Sequence, residues 1–261
     1  MLLLLPPSEG KAQPTGRGRP LDLTTLSFPA LSPVRQRLIE HLTTVCTGDQ
    51  AVAARILGLS PGLVGEVARN RGLATAPTLP ASRLFTGVLY EALDLRSLDA
   101  AATRRANRSV LVFSGLFGVL RPGDRVPAHR LAADVSLPGV GSVASVWRAA
   151  LDDVMAEAAG RAGLVVDLRS TSYAAMWRPT GSLAGRTVSV RVLHERRPGD
   201  PASRVVVSHF NKATKGRLAR ALLLDGAKPT DRAGLVEVLG DLGFHAEPSG
   251  TGRVDVVVEA P

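Results

Sequence analysis

Residues 142–167, SVASVWRAALDDVMAEAAGRAGLVVD, decide the class of fold. The apolar and polar positions alternate with helical period over residues 142–159, and Gly160 supplies the stop that such a helix needs. Behind it, residues 164–167 form a short apolar run that reads as a buried strand. A helix delivered directly into a buried strand predicts mixed α/β packing (α+β mixed), with helices laid on a sheet.

Outward from this unit, the same alternation of types continues to both ends. Residues 2–5, all leucine, read as a buried strand that runs into a Gly/Pro-rich basic loop over residues 6–20, which carries Ser8, Glu9, Lys11, Arg17 and Arg19. Ser32-Pro33 opens a helix in which Leu38, Ile39, Leu42, Val45 and Cys46 share one face. Residues 50–57 and 63–71 read as helices around a Gly/Pro turn, 75–82 as a surface loop, and 84–90 equally as strand or helix. Residues 97–108 read as a helix, 109–113 as a short strand, and 115–135 as a long Gly/Pro/Arg connection with little periodicity. Further on, strands are expected at 186–193, 204–208 and 254–259, and helices at 212–224 and 232–239. Strands spread from the first residues to the last predict one domain over residues 1–261.

Composition narrows the class. A chain of 261 residues with 45% hydrophobic content can bury a large core, and no run approaches the ~18 apolar residues of a membrane span. Pro6 and Pro7 cut the leading leucines short of a signal peptide, which predicts a cytoplasmic protein with no membrane partner. The lone Cys46 allows no intramolecular disulfide or thiolate cluster and reads as core. The net charge of +9 favours polyanionic partners, nucleic acid first among them. Only Lys11, Lys212, Lys215 and Lys228 of the 32 basic residues are lysine. Coding bias toward Arg explains that ratio but not the excess over 23 acidic residues.

Three constellations carry candidate chemistry. The first is Leu137-Pro138-Gly139-Val140-Gly141 before Ser142 and a helix that bears Arg148. Gly139 and Gly141 permit positive φ, so outward N–H groups at a helix start can meet a phosphate without reading sequence, as in a helix-hairpin-helix element. A plain turn into a surface helix is the competing interpretation. The second runs from Phe113-Ser114-Gly115 to Gly118 and on through Arg121, Asp124, Arg125, His129 and Arg130. It lies where an α/β sheet presents ligand contacts, and its arginines suit phosphate. The third is His209-Phe210-Asn211-Lys212 with Lys215 and Arg217, cations crowded where a helix is expected to begin, which favours a bound anion. Asp167, Arg169, Ser170, Ser172 and Tyr173 follow another strand and are candidates for the same edge. The five histidines show no metal-ligand spacing, and neither a metal nor a cofactor is expected.

Leu4-Leu5-Pro6-Pro7-Ser8-Glu9 with Lys11, residues 113–118 with Arg121-Pro122, residues 166–173, and Phe210-Asn211-Lys212 with Lys215-Gly216 resemble, in order, the successive blocks of the YaaA family. The resemblance implies a compact single-domain α/β fold peculiar to that family, a basic cleft that binds duplex and distorted DNA, a helix-hairpin-helix element, and protection against hydrogen peroxide with lower free iron. It adds Ser8, Lys11, Ser114, Arg121, Asp124, Asp167, Tyr173, Lys212 and Lys215 as cleft residues; Gly115, Ser170 and Asn211 lie in the same blocks.

Two functions from different classes follow. The first is a DNA-binding protein of the oxidative-stress response that needs no obligate protein partner. It uses Gly139, Gly141, Ser142, Arg148, Arg121, Arg125, Arg130, Lys212, Lys215 and Arg217 on phosphates. The second is an enzyme acting on a nucleotide or damaged base, glycosylase- or lyase-like, with Asp167 steadying positive charge and Lys212 as the attacking amine. A small-molecule or iron-handling role has a poorer ligand set.

Overall fold

The computed structural model describes residues 1–14 and 18–259. The predicted loop residue Arg17 therefore lies outside the described residues, as do the side chains of Ser208 and His209. Strands run β1 Leu2–Leu5, β2 Thr78–Pro80, β3 Val110–Ser114, β4 Gly118–Leu120, β5 Arg125–Pro127, β6 Ser136–Leu137, β7 Gly141–Ser142, β8 Val165–Asp167, β9 Thr187–Glu195, β10 Arg204–Val205, β11 His245–Ser249 and β12 Arg253–Glu259. An eight-stranded sheet takes the order β11-β12-β9-β8-β1-β3-β4, with β10 added against β9. Its inner strands β12, β9, β8, β1 and β3 are parallel, and β11, β10 and β4 join antiparallel.

β1 lies at the centre, with Leu3 opposite Val110 on one side and Val166 on the other. All its residues are buried, as a parallel strand covered on both faces requires, which explains why its sequence is a run of leucines and not an alternation. Each fully buried leucine contributes roughly 1.5–3 kcal/mol. The helix Ser32–Thr47 buries Leu38, Leu42 and Cys46 on one stripe, and Ala100–Ser109 leads straight into β3. The longest helix, Ser208–Asp225, packs on Val88–Leu93. Gly216 makes that approach possible, because a Cβ there would fall 2.2 Å from the Leu89 carbonyl oxygen.

Several expectations are corrected. The helix read over 142–159 is two helices, Val143–Arg148 and Asp152–Ala159; Asp152 and Asp153 favour a fresh N-terminus, where carboxylates meet a positive dipole end. Residues 75–82 contain β2, with Thr78 buried, and residues 84–90 run from the end of the helix Ala81–Leu84, through a bridge at Phe85, into the helix Val88–Leu93. The connection 115–135 holds β4 and β5, which are three residues each and too short to show a period. The strand read at 204–208 ends at Val205, and the next helix begins at Ser208, not Lys212. Lys212, Lys215 and Arg217 therefore sit beyond the first turn, and the argument from cations at a helix start no longer applies to them. The turn at 137–141 joins β6 to β7 as a β-hairpin. It has a helix after it but none immediately before it, the preceding segment pairing as strand because Gly139 and Gly141 take φ of 73° and 87°.

The order of strands locates a crevice. From β1 the chain reaches β3 on one side, whereas from β8 it reaches β9 on the other, so the connections leave in opposite directions. Such a switch point opens a gap beyond the carboxyl ends of the two strands, which is where open α/β sheets take ligands.

Candidate functional site at the carboxyl edge of the sheet

The loop after β1 enters this gap and is held from below. Tyr90 donates its hydroxyl to the Pro6 carbonyl at 2.7 Å. Ser8 bonds Gly10 O at 2.6 Å and accepts from Thr86 N at 3.0 Å. Lys11 forms a backbone bridge to Phe85, and Ala12 N donates to Leu84 O at 2.8 Å. These contacts give a loop lysine the fixed backbone of a strand. Its amine donates to Ser8 O at 3.1 Å and stands 5.6 Å from the centre of the Phe85 ring.

Around that amine the charges are mixed. Arg130 pairs with Glu9 at 3.4 Å, and its backbone is fixed to Asn70 by N–H to Oδ1 at 2.9 Å and Nδ2 to O at 2.8 Å. Glu66 and Arg69 form an ion pair nearby. Burial pushes the Lys11 amine down to about 8, with the positive charge of Arg130 adding to the effect and Glu66 opposing it. Tyr173 is pushed up to about 12 by burial despite the opposing charge of Arg130. Tyr90 is raised well above its ordinary value, again by burial.

On the β8 side, Arg169 is buried. It donates to both oxygens of Asp167 at 2.9 and 2.7 Å and to the carbonyls of Tyr173 and Trp177. Lys215 reaches the same edge from its helix, donating to Leu168 O at 2.9 Å and Arg169 O at 3.4 Å. Burial lowers its pKa, while the charge of Asp167 works the other way. Ser170 heads the short helix Thr171–Ala174 that carries Tyr173. Lys11, Arg130, Tyr173, Arg169 and Lys215 are thus linked neighbour to neighbour across the switch point.

Other sequence candidates are engaged elsewhere. Arg121 donates to Asn107 O at 3.2 Å and Arg108 O at 2.7 Å, closing the end of a helix while lying over the Phe28 ring. Asp124 is buried, accepting from Ser27 and Arg121. Arg125 bonds Thr78 O at 2.8 Å, Arg148 bonds Ala175 O at 2.8 and 3.1 Å, and Arg217 bonds Thr214 Oγ1 at 3.0 Å. Gly115 has no room for a ligand, since a Cβ would meet Leu131 O at 2.2 Å. Asn211 directs its amide nitrogen to Val192 O and Val207 O. Lys212 is exposed, one turn from Lys215. The hairpin glycines are exposed, and Ser142 caps the following helix through Ser145 N.

Ser114 and His129 form a pair that sequence reasoning left unjoined. Ser114 Oγ lies 3.0 Å from His129 Nε2, and Nδ1 lies 2.9 Å from Pro127 O. The carbonyl requires a proton on Nδ1, so Nε2 accepts from the serine. Both residues are buried, which makes the pair a polar tie within the core and not an exposed nucleophile. Phe85, Tyr90, Glu66 and Asn70 also escaped notice, because each belongs to a helix or bridge whose packing no local pattern marks. Among the described residues, no group of three His, Cys, Asp or Glu side chains is placed to hold a metal. No single helix among them is long and apolar enough to cross a membrane. Two surface hollows, beside Arg83 and Asn107 and beside Asp153 and Trp177, are lined by neither Lys11 nor Lys215.

A mostly parallel α/β sheet that gathers lysine, arginine and tyrosine side chains at its switch point defines the class. Within it the chain belongs to the family described as peroxide stress protein YaaA, whose pattern matches residues 1–248. It is 53% identical to a UPF0246 protein of Streptomyces coelicolor, covering 99% of this chain and 98% of that one. A UPF0246 protein of Corynebacterium efficiens is 39% identical over 95% of each chain. One from Corynebacterium glutamicum is 38% identical over 86% of this chain and 85% of its own.

Proposed function

We propose that this peroxide-stress family member binds duplex or distorted DNA by its phosphates, at the carboxyl edge between β1 and β8. The observation that carries this reading is the convergence of Lys11, Arg130 and Lys215 there, in a chain of net charge +9. Each ammonium keeps donors beyond the carbonyls it already serves. Exposed Lys212 extends the positive charge along the same helix. The 137–141 hairpin is the lesser contact in this reading, because the N–H groups of Val140, Val143, Ala144 and Ser145 already serve Leu137 O, Val135 O, Ala133 O and Ser142 Oγ.

Fluorescence anisotropy with an undamaged duplex tests it. Affinity should fall linearly on a log scale, by about tenfold or more between roughly 50 and 200 mM salt, and Arg130→Ala or Lys212→Ala should reduce the slope by about one each. A flat salt profile, or no binding at low salt, would overturn the proposal.

A further inference from the structure

We propose that Lys11 is an amine nucleophile that condenses with the aldehyde of a phosphorylated deoxyribose, the ring-opened sugar of an abasic site being the form that a duplex presents. The inference builds on the DNA reading and specifies the chemistry of the same crevice. Position comes first. Lys11 stands in the loop after the central strand, at the switch point, on backbone fixed by its bridge to Phe85. The amine is held by one carbonyl and one aromatic ring, and among the described residues no carboxylate forms an ion pair with it. Glu9, the nearest in sequence, is turned to Arg130 instead.

This is what separates Lys11 from the other amines. Lys215 is braced against two carbonyls, and the charge of Asp167 favours its protonated form, whereas Lys212 is exposed on the same helix. An amine without an ion-pair partner and partly stripped of water gives up its proton more readily, which is how lysine becomes nucleophilic. The lowered pKa of about 8 agrees with the geometry; it leaves about a tenth of the amine unprotonated at pH 7. Arg130, alongside, supplies a planar donor for the sugar's phosphate. The Lys11 half of the site therefore replaces the pairing of Asp167 with Lys212 expected from sequence, since the Asp167 carboxylate is committed to Arg169.

The step balances with one proton drawn from solvent and no oxidant or reductant. The Nζ lone pair adds to C1′ of the aldehyde, a proton passes from nitrogen to the former carbonyl oxygen to give a carbinolamine, and that hydroxyl takes a second proton from solvent and leaves as water. The product is an iminium joining Nζ to C1′, and water reverses it.

Borohydride trapping followed by peptide mapping reads the bond directly. The full chain is incubated with a duplex carrying an abasic site and, separately, with 2-deoxyribose 5-phosphate. The expected result is a reduced adduct mapping to Lys11, diminished by about tenfold or more in Lys11→Arg, which keeps the charge but cannot form the imine, and unchanged in a Lys228→Arg variant, whose exposed side chain lies outside the proposed site. Because the wild-type adduct is mapped, the result does not depend on how well the variant folds. Absence of an adduct with both probes, or one mapping to another lysine, overturns the proposal. Undamaged-duplex binding measured alongside separates the two readings. Binding without an adduct removes only the nucleophile, whereas a Lys11 adduct with the free sugar phosphate and no duplex binding removes the DNA reading and leaves the nucleophile standing.

Discussion

Arg169 folds back on Asp167 two residues earlier, with its backbone N–H, Nε and Nη2 all directed at the carboxylate. The guanidinium then lies 4.3 Å from the Phe113 ring and 5.4 Å from that of Trp177, with 1% of the arginine side chain and 12% of the aspartate exposed. A cation enclosed in this way depends on its partner. Breaking a buried pair from one side costs about 3–5 kcal/mol, because the remaining charge is left uncompensated. Asp167→Asn should accordingly lower the urea midpoint sharply, with duplex affinity little altered where the protein stays folded. A variant of native stability that no longer bound DNA would place Asp167 in contact with ligand instead.

The loop after β3 is closed by Trp147, which donates Nε1 to Gly115 O at 2.7 Å and lies so close to Gly118 that a Cβ would fall 2.6 Å from its ring. Gly118 also takes φ of 74°, the left-handed region that favours glycine. Gly115→Ala should destabilise by roughly 3 kcal/mol or more, since the obstructing atom is a backbone oxygen and cannot rotate away. Trp147→Phe should cost about 1–3 kcal/mol by orphaning the Gly115 carbonyl. Thermal melts of the two variants check both figures. A Gly115→Ala protein that melts with the wild type would mean that this loop yields.

The strands that build the crevice were legible because burial on both faces turns a parallel strand into an uninterrupted apolar run, as at Leu2–Leu5 and at residues 164–166 just before Asp167. Lys11 and Lys215 were legible as types of residue but not as neighbours of anything. Their placement depends on a bridge to Phe85 and on a helix that starts before its first lysine, and neither leaves a periodic trace. β11 was missed for the opposite reason: His245–Ser249 is a polar edge strand bearing Pro248, tolerated where no further strand needs its N–H. The arginines misled most. Arg35, Arg105, Arg121, Arg148 and Arg186 each donate to backbone carbonyls, so much of the basic excess ties helix ends and loops together. Composition cannot distinguish such an arginine from one that waits for a phosphate.

Lys11 carries a stability cost with a defined pH window. Its folded pKa, about 8, lies below the ordinary 10.5, so between those values the unfolded chain binds more protons and stability rises with pH. Below about 8 the full penalty applies, on the order of 1–3 kcal/mol. Lys11→Met should therefore raise the melting temperature at neutral pH and flatten the rise on the alkaline side. Arg130, Arg69, Glu66, Glu9 and His129, which face the amine, remain in place in that variant. An unchanged or lowered melting temperature would show that the amine is better solvated than its surroundings imply.

His129 sets the acid limit. Its ring meets Phe117 edge-on at 4.9 Å and Phe85 at 6.4 Å, and burial holds its pKa well below 6.5, the charge of Lys11 adding to the effect against the Pro127 carbonyl. The sign follows from proton counting. In the unfolded chain the imidazole takes a proton as pH falls through about 6.5, whereas in the folded chain it does not, so each further unit of acid costs up to about 1.4 kcal/mol until the folded pKa is reached. The His129 contribution to the urea midpoint should be level above neutrality and decline steadily below it, the alkaline rise belonging to Lys11. Nitrogen-15 NMR provides the site-specific check: His129 should remain in the neutral form, protonated on Nδ1, through the range where an ordinary histidine titrates. Ser114→Ala should not make it titrate normally, because burial and Lys11 both persist, but should cost about 1–3 kcal/mol by leaving Nε2 without its donor. A His129 resonance that titrates near 6.5 in the folded wild type would show that water reaches the ring, and would recast the buried Ser114–His129 pair as an accessible one.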